Sequence, residues 1–144
     1  MGMYNENHQF RLGLPDGWDD QTIHFFQGPE EFGLLHNLTL MIDADPPCDD
    51  LDEYVSGQLD HTLGSLPDAE VLKEETRRRP DGLAVRAVTL LWRPPSKTPE
   101  IKKLYYMEKD GVFYNFSAPF TKQTLKTLAV EIDRMIDQLE FPAA

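Results

Sequence analysis

A chain of 144 residues suits a single domain with one core, and 40% hydrophobic with 27% charged side chains places it among folded rather than disordered sequences. The formal net charge of -11 works against general affinity for nucleic acid or anionic lipid headgroups, both of which require clustered Lys and Arg. Cys48 is the lone cysteine, which excludes an intrachain disulfide framework.

MGMYNENHQF has no basic start leading into an apolar run, and no later stretch approaches the roughly 20 apolar residues of a membrane span. The expectation is a cytoplasmic protein without direct membrane insertion. HQFRLGLP, residues 8–15, reads as a first strand ended by Pro15 and the PDGW turn. QTIHFFQ, 21–27, is a second strand in which Ile23 and Phe25 share one side, and GPEEFG supplies a turn. HNLTLMID, 36–43, is the third, with Leu38, Leu40 and Ile42 on a core side and Asn37, Thr39 and Met41 on the other. That second side is neither charged nor purely aliphatic.

Pro46 and Pro47 end this strand, and Asp49 or Asp50 can cap a helix whose stripe is Leu51, Tyr54, Val55, Leu59, Leu63 and Leu66. The acids of its first turn complement the helix dipole, and they lack the spacing and central Gly of a calcium loop. AEVLKEETRRRP, GLAVRAVTLLWRP and EIKKLYYMEKDGVFYNFSAPF give four more strands, with Asp-Gly at 81–82 and 110–111 marking hairpins. Arg77, Arg78 and Arg79, the only basic cluster, read as a solvated strand end. TKQTLKTLAVEIDRMIDQLEF closes the chain as a helix capped by Thr121. This order predicts one α+β domain over residues 1–144: two layers, with a curved antiparallel sheet of about 6–7 strands and two helices packed on one face.

No glycine-rich phosphate loop, paired Cys or His at ligand spacing, or GxSxG elbow is present, so neither catalysis nor a metal or other cofactor is expected. Ser56, Asp60 and His61 are the nearest approach to a catalytic trio, but His61 points about a hundred degrees from Asp60 on the helix. The mixed side of the third strand remains unusual. Gln58 joins it, lying at the edge of the first helix's apolar stripe, as do Lys103 and Tyr105 on a later strand. An apolar surface carrying a few hydrogen-bonding groups suits an apolar helix with small polar residues in it, such as a membrane-spanning segment kept in water. A small ligand-binding module or enzyme with its pocket on the same sheet face is the alternative.

LPDGWDDQTIHFF, HNLTLMID and EYVSGQLDHTLGSLPDAEV resemble the Eag-type chaperones of type VI secretion effectors, part of a wider DcrB-like group with a PsbP-like fold. The resemblance implies a cytoplasmic homodimer that binds the apolar N-terminal segment of a secreted effector and helps load it onto the secretion spike protein. It further implies that the apolar contact pair is Ile23 and Phe25, and that the cargo-facing strand positions are Asn37, Thr39 and Met41. The helix glutamine is then Gln58, and a further polar position falls at Lys102 or Lys103. Asn37 and Met41 stand where small hydroxyl side chains are usual in that family, and a Lys stands for an uncharged amide.

Overall fold

The computed structural model describes residues 3–6, 11–18, 23–31, 34–44, 46, 48–66, 68–95 and 98–141. Two short strands, β1 (Met3–Glu6) and β2 (Arg11–Leu14), pair antiparallel in a sheet of their own. The predicted first strand thus belongs to a separate ribbon rather than to the main sheet, and its residues 8–10 lie outside the described residues. Its partner MYNE was missed because four residues with little alternation give no strand pattern.

Six strands form the main sheet: β3 (Ile23–Glu31), β4 (Leu34–Asp43), β5 (Glu70–Arg78), β6 (Ala84–Trp92), β7 (Glu100–Lys109) and β8 (Val112–Phe120). Their spatial order is β3-β4-β8-β7-β6-β5, and each neighbouring pair is antiparallel. GPEEFG is not wholly a turn, since β3 continues through Glu31 and a register shift between Gln27 and Glu30 absorbs Gly28 and Pro29. Pro29 is tolerated because β3 is an edge strand, where a missing N–H breaks no ladder. Asp110 and Gly111 have φ of 53° and 81°, the two left-handed residues of a type I′ hairpin, so Lys109 pairs directly with Val112.

Helix α1 (Leu51–Ser65) begins at Asp50, whose carboxylate accepts a hydrogen bond from the Asp52 amide at 3.3 Å. The closing helix is interrupted, giving α2 (Lys122–Leu125) and α3 (Leu128–Gln138). Thr121 and Thr124 form a reciprocal capping box, and the Thr127 amide and hydroxyl both turn back to the Thr124 carbonyl. Threonines bonding local backbone in this way compete with the continuous helical ladder and break it at residues 126–127.

The helices pack on opposite faces, so the predicted two-layer arrangement is corrected to three layers. Tyr54 and Val55 of α1 bury Val88, Leu90, Leu104, Tyr106 and Phe113. Ala129, Ile132 and Ile136 of α3 bury Leu38, Leu40, Ala87, Tyr105, Phe116 and Phe120. Successive residues of β6 and β7 are buried whichever way they point, which requires cover on both faces. Ile42, expected in the core with Leu38 and Leu40, is 38% exposed at the strand's end.

Polar ties fix α3. Asp133 accepts from the Tyr105 hydroxyl at 2.6 Å and pairs with Lys103 at 3.2 Å, while Arg77 pairs with Asp137 at 2.5 Å. Burial, together with the Asp133 carboxylate, pushes the Tyr105 hydroxyl pKa far upward. Arg79 is buried, donates to the Leu139 carbonyl, pairs with Asp81 at 3.1 Å and lies under the Phe141 ring. The basic cluster is therefore mostly internal, with Arg78 alone matching the solvated strand end.

Candidate functional site

Helix α1 covers β6, β7 and β8, but no described residue of β3 or β4 joins its apolar cluster. A strip of the same face, two strands wide, is left beside the helix. Pairing fixes its members: Ile23 opposes Met41, Phe25 opposes Thr39, Gln27 opposes Asn37, and Thr39 and Met41 oppose Ser117 and Asn115 on β8. The sequence reading placed this surface on a face opposite both helices. It lies instead next to α1, because only α3 crosses behind β4.

Ile23 and Phe25 are 56% and 57% exposed, while Asn37, Thr39 and Met41 are half-buried. Asn37 makes only a long bond of 3.4 Å to the Leu35 carbonyl. Among the described residues, neither the Thr39 hydroxyl nor the Gln58 amide has a hydrogen-bond partner. The strip thus offers apolar bulk at its outer edge and unpartnered polar groups further in.

The edge of α1 beside the strip is held by Tyr54. Its hydroxyl donates to Asp43 at 3.2 Å and accepts from the Asn115 side-chain amide at 2.8 Å, tying the helix to β4 and β8, while its ring stacks on Phe113. Burial, against the Asn115 hydrogen bond and with the Asp43 charge, pushes its pKa up to about 12, so it stays a donor. Gln58, one turn later, falls on the same edge. With Cys48, Glu53, Tyr54 and Gly57 it lines a cleft of about 390 Å³. Desolvation and the Glu53 carboxylate raise the Cys48 thiol pKa, opposite to the shift a nucleophile needs.

Register decides between the two lysines. Lys102 shares the strip's face, paired with Leu90 and Pro119, though two strands inward from β4. Lys103 points to the opposite face, buried against Asp133, and leaves the candidate set, as does Tyr105. Ser56, Asp60 and His61 are exposed on α1 and share no hydrogen bond. His24 is exposed, His36 is buried on the α3 face 3.5 Å from Glu31, and His8 lies outside the described residues. Among the described residues, no three His, Cys, Asp or Glu converge as a metal-binding group.

A larger cleft of about 730 Å³ lies at the turns around residues 79–82 and 109–111, against the segment after α3. Arg79 there is engaged internally, and no residue of the strip lines this cleft. Asn115 and Ser117 were missed from sequence because their place beside β4 depends on pairings 74 and 78 residues apart, Met41 with Asn115 and Thr39 with Ser117.

The family model for DcrB matches residues 11–109, which includes β3, β4, α1 and β5 to β7. The chain belongs to the DcrB family. No curated protein matches it. The DcrB-family chain is similar to PA94 from Pseudomonas aeruginosa, a protein of unknown function named as a candidate regulator, with a TM-score of 0.75, 18% identity, and 99% of each chain covered. It is also similar to cyanobacterial PsbP (CyanoP) from Synechocystis sp. PCC 6803, with a TM-score of 0.58, 10% identity, and coverage of 97% of this chain and 92% of that one. At such identities the likeness establishes the fold, an α+β antiparallel sheet of PsbP type. Among the described residues of this DcrB-family chain, no helix is long and apolar enough to cross a membrane.

Proposed function

We propose that this chain is a non-enzymatic cytoplasmic chaperone or adaptor that holds the apolar N-terminal helix of a type VI secretion effector and aids its loading onto the secreted spike, as the Eag-type resemblance implies. The observation that carries the reading is one strip that joins exposed Ile23 and Phe25, opposite Met41 and Thr39, with Gln58 on the neighbouring edge of α1, the Thr39 hydroxyl and Gln58 amide having no partner among the described residues. Dimensions agree. Two strands span about 10 Å, the width of one helix. The ten residues of β4 extend about 34 Å, against about 30 Å for a spanning helix. Met41 adds a side chain that repacks around different partners. A homodimer would place two such strips in one assembly, with two-fold pairing the commonest closure.

The test is capture of a synthetic twenty-residue apolar helix in detergent-free buffer. Wild-type protein should keep it soluble, and the Ile23→Asp/Phe25→Asp variant should not, while melting normally because both side chains are more than half exposed. A double variant that binds as wild type removes the reading. In the ligand-module alternative the pocket is the cleft of about 390 Å³ at Cys48 and Gln58. A metabolite that copurifies and is displaced by Gln58→Leu, but not by the Ile23→Asp/Phe25→Asp change, would select that alternative.

A further inference from the structure

Among the described residues β3 pairs only with β4, so the backbone groups along its other side await a strand. The two edges of the main sheet are guarded differently. At the far edge β5 carries Glu70, Lys73, Glu74, Glu75, Arg77 and Arg78 and a register shift after Val71, features that keep a further strand away. On β3 such guards stand only in the second half, where Pro29, Glu30 and Glu31 follow the register shift after Gln27. Ile23, His24, Phe25, Phe26 and Gln27 carry no formal charge, in a chain whose net charge is -11. Phe26 is also unexplained by the docking of a helix. It is 52% exposed and pairs with Leu38, so it points to the α3 face, where a helix lying on the strip cannot reach it.

We propose that residues 23–27 are a self-pairing edge, at which β3 binds β3 of a second copy antiparallel and joins the two six-stranded sheets into one. This gives the dimer of the chaperone reading its contact surface, and it rests on that reading for its use in holding cargo. A two-fold axis perpendicular to the sheet at Phe25 employs all five residues. It sets Phe25 against the partner's Phe25, Ile23 against the partner's Gln27 and His24 against the partner's Phe26. No like charges meet, and bulky side chains cover one another on both faces. Two copies of so acidic a chain repel except where they touch through uncharged residues, and of the main sheet's two edges only this one supplies them. The two strips then lie side by side on one face, four strands and about 19 Å across, room for two helices instead of one. Five residues from each chain make a small contact, so the dimer should dissociate on dilution.

Sedimentation equilibrium of the full chain tests the pairing, with wild type beside His24→Lys/Phe26→Lys and His24→Glu/Phe26→Lys. Both positions are exposed, so each variant should melt as wild type does. Wild type should dimerise. The first variant sets lysine against lysine and should weaken the dimer by about tenfold, whereas the second sets glutamate against lysine in this register and should recover most of the loss. Amide hydrogen exchange at residues 23–27 of wild type should slow as its concentration rises, a readout that needs no variant. A monomeric wild type, an undiminished dimer in the double-lysine variant, no recovery with glutamate, or exchange at 23–27 that ignores concentration would overturn the proposal. Both variants keep Ile23 and Phe25 for the cargo. If wild type captures an apolar helix but dimerises without residues 23–27, this inference alone fails. If it dimerises through them and captures no helix, the chaperone reading alone fails.

Discussion

Thr39→Val and Gln58→Leu separate a surface built for a partner from one that serves the protein's own core. Each change deletes hydrogen-bonding atoms at nearly constant volume, at positions where the described structure supplies no partner. No internal bond is lost on substitution, so the free protein should change in stability by no more than about 0.5 kcal/mol. Docking an apolar helix buries the same atoms. Removing a group that there satisfies a Ser hydroxyl or backbone carbonyl leaves that carbonyl dry and unpaired, at about 1–3 kcal/mol each, or about 5- to 160-fold in affinity. Asn115→Ala is the internal control, because its amide donates to the Tyr54 hydroxyl at 2.8 Å and its loss should lower stability by about 1–3 kcal/mol. Urea unfolding monitored by tryptophan fluorescence gives the first quantity, and anisotropy of a labelled apolar helix gives the second. Loss of stability in Thr39→Val and Gln58→Leu comparable with that in Asn115→Ala, with affinity unchanged, would mean that the strip faces its own protein and would refute the reasoning.

Lys103→Gln should lower the melting temperature, since it removes the 3.2 Å cationic partner of Asp133 on α3 and leaves only the Tyr105 hydroxyl and the more distant Arg77, yet leave apolar-helix binding at the wild-type level; reduced binding without destabilisation would reverse the facial assignment. Gly111→Ala should cost about 1 kcal/mol in urea unfolding, because φ of 81° is strained for a side chain although no atom lies in the way. Tyr54 and Tyr106 both have folded pKa values of about 12 against an ordinary 10.0, so the folded state keeps protons that the unfolded chain releases. Stability should accordingly be full below pH 10 and fall between pH 10 and 12, with a shallower fall in Tyr54→Phe; an identical slope in that variant would deny the shift. Light scattering should return twice the 16.5 kDa chain mass at micromolar concentration, and a monomer mass would remove the dimer from the proposal.

Local chemistry made much of the architecture legible. Apolar periodicity located α1 within two residues of its observed ends, Asp50 was a candidate cap, and Asp110-Gly111 specified its hairpin, because each signal depends on residues within a few positions of one another. The same locality exposed the mixed side of HNLTLMID, since alternation along one strand requires no knowledge of its neighbours. Tertiary structure decided what each side meets. Nothing local distinguishes α1 packing on the face of Val88 and Leu90 from α3 packing on the face of Ala87 and Tyr105, because a strand buried on both faces gives both helices an apolar partner. Likewise, Lys102 and Lys103 differ by one position in sequence. They became opposites only when pairing with β6 and β8 set the register, and a one-residue step carries a side chain from one face of a sheet to the other.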